Sequence, residues 1–487
     1  MMWLRLFAGK QETNQPSWLW IHFRKFLVLL LLAAVFCLVP LGIKGWNKKS
    51  LVQNIRSHGG TVQFGHGNCK FGICSISHPK LEVITGAIRY ISSPNSADIP
   101  INDEFIESLG NQPHLTILSL GSPDNPAAIT NQGFAALAQY PLNSLTITGG
   151  SITDSGLKTL GNISTLKYLS LHNIEFSIEE PESALALQKL NSLKVTDPHI
   201  TERGLIVLAN TPLSYLIISD NSISDSALVE LAKAPLQILS ITGGSITDSG
   251  FNELGNFSTL ENLKLYDLEF TGEHFHRASA MKNLTHIYLS GSKITNSGLE
   301  KLSSFPRLEY INIMNTCVSG DGLRHLSKFK KLSNLCIDNT KNNADSLHHL
   351  ESIKSLSMLC MDGKSTTDAH LQQITSLQSV WFLRLVDSQV TDQGLIPLAN
   401  MKNLRHLCLG NTPFSDEGIK NLTPIKSLGY LDLSNTNITD QAVESLLQFP
   451  EFEIVRTYGT KLSAAAIESL RDLEIDVYTD KPPYISE

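Results

Sequence analysis

The sequence predicts an α/β solenoid: a right-handed horseshoe of stacked coils, with a parallel sheet on its concave face and short helices on its convex face, preceded by one transmembrane helix. Three observations predict it. An L-x-x-L-x-L segment recurs, mostly every 24 residues, from Leu115 to Phe452. Within each copy the apolar spacing changes from two to three or four residues, the mark of a strand followed by a helix. Near the N-terminus, Phe26 to Ile43 runs eighteen residues without a charge.

Composition narrows the function. The chain has 487 residues, 42% apolar and 17% charged, the balance of a folded protein. Length alone suggests two to four domains, but a single repeat array of this length is one body. The net charge of −7 is unevenly spread: residues 1–50 hold seven Lys/Arg and one acid, Glu12, leaving 32 basic and 45 acidic residues beyond them. A body at −13 is poorly suited to a phosphate backbone, so no nucleic-acid partner is expected. Seven cysteines are too few for a small disulfide-framed scaffold.

Residues 1–25 read as a short tail and 26–43 as the anchor. As a helix the anchor spans about 27 Å, near the hydrocarbon thickness. Arg24 and Lys25 precede it, Lys44, Lys48 and Lys49 follow it, and Trp18, Trp20 and Trp46 flank it. A cleaved signal peptide is the rival, but the leading stretch is long and no A-x-A-like site follows. The expected location is therefore a single-pass membrane protein with its large domain on the extracytoplasmic side.

Residues 44–114 read as an N-terminal cap and a degenerate first coil. Ser50 to His58 suits a helix, Gly59-Gly60 a turn and Thr61 to Phe64 a strand. Ile88 and Tyr90 begin the degenerate coil, and SSPNSAD separates them from Ile101-Asn102-Asp103 and Leu109. The cap also holds His66, Cys69, Cys74 and His78, spaced H-x2-C-x4-C-x3-H. Four such ligands can hold a tetrahedral zinc, which would open an enzymatic reading. An oxidising compartment instead favours a Cys69–Cys74 disulfide with two incidental histidines, and no metal or cofactor is then expected.

Residues 115–470 are the coils. Starts fall at Leu115, Leu142, Leu166, Leu190, Leu213, Leu236, Leu260, Leu284, Leu308, Leu332, Leu356, Val380, Leu404, Leu428 and Phe452. In the clearest copy Leu431 and Leu433 point inward from a strand. Thr436, like Thr316, Thr340 and Thr412, is placed to bond turn backbone, and Thr439-Asp440 suits a helix start. Val443 and Leu446 supply the helix's apolar stripe. One coil cannot bury its own leucines, whereas stacked coils can. The segment ITGGSITDSG occurs at 147–156 and again at 241–250, an offset of 94 residues that indicates duplication of a four-coil block. Asn342-Asn343-Ala344 departs from I-T-D, which leaves the helix between Thr340 and Leu350 the least defined. Residues 471–487 read as a closing strand through Leu473, Ile475 and Val477, then a loose polar tail.

These units resemble the leucine-rich repeat superfamily over roughly residues 85–477. The I-T-D-x-G-L form looks like that of membrane-anchored bacterial repeat proteins, and is similar to the cysteine-containing repeats of F-box adaptors. The resemblance implies the horseshoe fold and says almost nothing of the ligand; substrate recruitment in the manner of an F-box adaptor is the alternative function it raises.

The candidate ligand surface is the concave face. There the residues on either side of the second leucine of each coil point to solvent, among them Lys194, Lys264, Asp432 and Arg456. The contact candidates are Tyr168, Tyr215, His286, Tyr288, Tyr310, Phe382, Arg384, His406 and Tyr430, since exposed aromatic and arginine side chains on a rigid sheet are typical contact residues. Sheet-favouring residues with no partner are the plain alternative. The expected ligand is a protein, with a surface glycan as a further class. Cys336 and Cys360 share a position in consecutive coils, compatible with a cross-strand bond or with two free thiols. Glu273-His274-Phe275-His276 falls in an irregular convex segment and reads as a solvated loop. No nucleophile elbow, P-loop, H-E-x-x-H or G-x-G-x-x-G stands in the chain, so no catalysis is expected.

Overall fold

The computed structural model describes residues 62–64, 88–92 and 100–480, except 178–179, 181–182, 197–206, 208, 220–222, 255 and 279–280. The anchor expected at 26–43, the Cys69, Cys74, His66 and His78 group and the tail 481–487 lie outside the described residues. Among the described residues no helix is long and apolar enough to cross a membrane. The chain divides into two compact units, Met1–Gln53 and Asn54–Glu487, and the fold below is that of the second.

Among the described residues a sheet of 18 strands organises this unit. Val62–Phe64 pairs antiparallel with Ile88–Ser92, which then pairs parallel with Ile117–Leu120. From there the strands follow chain order in parallel register to Asp476–Tyr478. The pairings Ile311↔Leu335, Leu335↔Leu359 and Leu359↔Leu383 show how register arises: each coil lays its leucine beside the same leucine of the next. Leu335, Leu359, Leu383, Leu407 and Leu431 are fully buried. At roughly 1.5–3 kcal/mol for each such side chain, this column supplies much of the stacking energy. A one-residue slip would turn every one of them to the opposite face.

The turn after each strand is built from backbone requirements. Thr316, Thr340 and Thr436 donate their hydroxyls to the carbonyls of Ile313, Ile337 and Leu433 at 2.6–2.7 Å, all buried. Just before the threonines the backbone takes a positive φ, at Asn315 55°, Asn339 50°, Asn411 55° and Asn435 55°, and the equivalent places before Ser388 and Lys364 hold Asp387 at 59° and Gly363 at 97°. Asn, Asp and Gly recur there because other side chains clash in the left-handed region.

The I-T-D segment joins coils more than it caps helices. Asp416 accepts both the backbone N–H and the hydroxyl of Thr439 in the next coil, at 2.8 and 2.6 Å. Asp392 does the same to Ser415, Asp368 to Thr391 and Asp225 to Thr247. The expectation that the hydroxyl caps its own helix is therefore corrected at Thr391 and Ser415, which make no side-chain cap. At these positions the hydroxyl instead donates to the carboxylate of the preceding coil, a charge-assisted hydrogen bond. Thr439 does both, also accepting from Gln441 N at 3.3 Å.

The helices are short, and several are 3₁₀, as at Phe275–Ala278, Arg324–Lys328 and Ile396–Asn400. The segment after Thr340 is a 3₁₀ helix, Ala344–Ser352, capped by Asn343 Oδ1 in place of I-T-D. In the coil beginning at Leu428, Ala442 and Leu446 make the buried stripe, with Val443 only half-buried. The closing strand is shorter than expected. Leu473 stands exposed in a turn, forced there by the positive φ of 64° at Glu474, and the strand begins at Asp476.

Candidate interaction face

Alternation leaves one face of the sheet for the core and the other open. Three rows line the open face: the residue before the inward leucine of each strand, the residue after it, and the residue two further on. From Phe382 to Arg384, for example, Leu383 is buried while its two neighbours are half-exposed.

The first row carries most of the aromatic candidates, and the strand register stacks them on one another. His286 and Tyr310 lie with ring centroids 5.7 Å apart and planes at 18°, and Tyr288 from the second row stacks on Tyr310 at 4.6 Å. Further along, His406 stacks on Tyr430 at 5.2 Å and 11°, with Phe382 on its other side. Trp381, 41% exposed, meets His406 edge-on at 5.2 Å. In these columns ring faces are turned to neighbouring rings, which leaves edges, hydroxyls and ring nitrogens for a ligand. Tyr168 and Tyr215 belong to the same row but stand apart from both columns, flanking Ser192. Tyr168 is exposed and Tyr215 half-buried.

Between the two columns the second and third rows form an ionic centre. Arg384 Nε lies 2.7 Å from Asp362 Oδ2 and its Nη2 lies 3.3 Å from Asp338 Oδ2. The side chains are 27%, 17% and 0% exposed in the order Arg384, Asp362, Asp338. Each carboxylate also takes a backbone N–H from the following coil: Asp338 from Asp362 at 2.6 Å, Asp362 from Val386 at 2.9 Å. Burial raises both carboxyls, and the adjacent Asp338 charge helps carry Asp362 to about 7. Burial works against the Arg384 charge, yet the surrounding thiols and carboxylates hold its pKa above the ordinary arginine value.

Cys336 and Cys360 sit beside this centre, both buried and free. The Tyr310 hydroxyl lies 3.2 Å from Cys336 Sγ, and burial with that neighbour pushes the phenol pKa far up. At the C-terminal end Arg456 Nε donates to the Tyr430 hydroxyl at 3.0 Å, and its guanidinium lies 5.0 Å from the Tyr478 ring centre. Lys264 lies 4.8 Å from the Tyr288 ring centre.

The expectation that second-row residues point to solvent is corrected at Asp432, which is fully buried and accepts from Ser434 N at 2.9 Å. Cys336, Cys360 and Cys408 in the same row are buried as well.

The structure thus brings His286, Tyr288 and Tyr310 into one group and Phe382, His406 and Tyr430 into another, with Arg384 between them and Tyr168 and Tyr215 elsewhere. Sequence reasoning missed Asp338, Asp362 and Trp381. The repeated Cys-x-Asp of Cys336-Ile337-Asp338 and Cys360-Met361-Asp362, followed one coil later by Arg384, was the available signal. Among the described residues no group of three or more His, Cys, Asp or Glu is placed to hold a metal ion. His274 and His276 bond instead to local backbone carbonyls, of Asp248 and Glu273.

A family profile described as "Leucine Rich repeat" matches residues 209–232, 280–303 and 426–447. None of the curated protein sequences compared with the chain matches it. Among solved structures, a TLR13–ssRNA13 complex is similar with a TM-score of 0.51 and 16% identity, covering 81% of this chain and 62% of that one. This chain therefore spans less than two thirds of that protein. The mouse RP105/MD-1 complex is similar with a TM-score of 0.48 and 17% identity, covering 82% and 71%. A Leptospira interrogans protein titled LRR protein LIC12759 gives 0.43 and 18%, covering 77% and 91%. At these identities the likeness is one of fold.

Proposed function

The chain belongs to the leucine-rich repeat superfamily, and from that premise we propose that it is a non-catalytic interaction protein that captures a protein partner on the open face of its sheet. The observation that carries this reading is the open face itself. A largely parallel sheet, fixed by its leucine column, presents two stacked aromatic groups on either side of the Arg384 centre. A surface of that kind is preformed, so little ordering cost is incurred on binding. Aromatic and arginine side chains are the residues that most often dominate such contacts. The acidic body favours a protein ligand over RNA, although the TLR13 structure carries an ssRNA.

The uncharged run 26–43 with its basic and tryptophan flanks supports a membrane anchor, with the repeats extracytoplasmic. Proximity labelling on intact cells tests sidedness and reports neighbours. For the face, the test is partner capture by the double variant Trp381→Ala, His406→Ala. Both side chains are surface-accessible and outside the ionic centre, so the coils should remain folded. Capture is expected to weaken at least about tenfold. Undiminished capture by a folded variant would remove this face from the interaction.

A further inference from the structure

The open face holds one pair of groups to which the interaction reading gives no role. Cys336 and Cys360 are directly paired on neighbouring parallel strands, and both are free thiols. Neighbouring strands stand about 4.8 Å apart, within the Cα separation of about 4.4–6.8 Å that a disulfide spans. Cys360 is the direct register partner of Cys336, and the Tyr310 hydroxyl lies 3.2 Å from Cys336 Sγ. Arg384 is the next residue in the row. The other described cysteines are out of reach: Cys408 lies two strands beyond Cys360 with Arg384 between, and Cys317 is exposed and off the sheet.

We propose that Cys336 and Cys360 form a redox-active dithiol, closed to a disulfide by hydrogen peroxide and reopened by thiol exchange, and that its state positions Tyr310 on the interaction face. The second clause rests on the partner-binding reading above; the first stands without it. Donation from Cys360, with help from Tyr310 and Arg384, draws the Cys336 pKa down despite burial, while Cys360 is held well up. The ordering fits a nucleophile and its resolving partner. The Cys336 thiolate attacks a peroxide oxygen; the S–O bond forms, the O–O bond breaks, and the departing hydroxide takes a proton to become water. Cys360 sulfur then attacks Cys336 sulfur. The S–S bond forms, the S–O bond breaks, and hydroxyl leaves with the Cys360 proton as a second water. The two sulfurs lose two electrons in all and the peroxide gains them. A water-sized oxidant suits a pair this deeply covered. In the disulfide, Cys336 no longer offers Tyr310 a thiolate acceptor, so the ring loses its tether.

The test uses the full-length chain, hydrogen peroxide as the probe, and alkylation with mass spectrometry as the readout. The expected result is a Cys336–Cys360 linked peptide, reopened by dithiothreitol, abolished in Cys336→Ser and Cys360→Ser and retained in Cys408→Ser. Cys360→Ala replaces any serine variant that fails to fold. Both cysteines remaining alkylatable under peroxide that oxidises Cys317, or Cys336 oxidised without a link, would overturn the dithiol. Partner capture by reduced and oxidised protein tests the second clause. A lower yield from the oxidised form supports it, and equal yields overturn it. Capture by neither form would count against the partner-binding reading, while the linked peptide would still decide the dithiol.

Discussion

Arg384 lies 2.7 Å from Asp362 and 3.3 Å from Asp338, so one guanidinium answers two carboxylates from the two preceding coils. All three side chains are largely buried, which makes the arrangement asymmetric: it contributes little against an apolar replacement but is costly to break from one side. Arg384→Met should destabilise the chain by about 3–5 kcal/mol in urea denaturation near pH 8. The loss should shrink at lower pH, where the stranded carboxyls take up protons. Adding Asp338→Asn and Asp362→Asn to Arg384→Met should recover most of it. A single variant as stable as the wild type would show that the carboxylates do not depend on this cation.

The pH dependence has a definite sign. The Asp362 carboxyl rises to about 7 in the folded chain, chiefly through burial and the Asp338 charge, against about 3.9 in an unfolded one. Between those values the folded state binds the extra proton, so this group's contribution to stability falls as pH rises and levels off above pH 7. His406, held down by burial, acts in the opposite direction below its ordinary range. The clean measurement is a difference. Between pH 5.5 and 8, the stability of Asp362→Asn relative to wild type should climb with pH, and a flat difference would contradict the raised carboxyl.

The alternation of leucines placed each strand, because every inward position repeats with the coil and only one register buries them all. Tyr310, His406 and Tyr430 were legible for the same reason: each sits one residue before an inward aliphatic residue, Ile311, Leu407 and Leu431. Asp338 and Asp362 were not, because they stand one alternation further on, where the sequence reads as turn. Nothing in a lone aspartate announces burial; the Arg384 side chain, 46 residues beyond Asp338 in sequence, and the Asp362 backbone N–H make the position tenable. Asp432 departs from expectation for a related reason. It is fully buried and bonded to the Ser434 backbone, a setting that the alternation of the strand does not announce. The Thr391 hydroxyl likewise had two possible roles, accepting from its own helix or donating to a neighbouring coil, and its donation to Asp368 depends on the stacking of coils.

The Asp416–Thr439 contact links adjacent coils through two hydrogen bonds to one carboxylate. Hydrogen bonds to charged groups are typically worth about 1.5–3 kcal/mol, and this pair is partly exposed, so Asp416→Ala should cost roughly 1–3 kcal/mol. A stack of coils couples mainly to its neighbours. Hydrogen exchange should therefore accelerate in the coils around residues 416 and 439, with little change near Leu169. Uniform acceleration along the chain would show cooperativity of longer range than nearest-neighbour stacking allows.

Asn435 tests the turn. Its φ of 55° falls where glycine is unstrained, asparagine is tolerated and β-branched residues clash. Neighbouring coils meet the same requirement with Asn411 at 55° and Gly459 at 70°. Asn435→Gly should change stability by less than about 1 kcal/mol, whereas Asn435→Val should lose about 1–2 kcal/mol or more through the left-handed penalty. The comparison isolates backbone conformation, since both substitutions remove the same amide group. Equal losses in thermal or urea denaturation would mean that the asparagine side chain, and not its backbone, is what the turn requires.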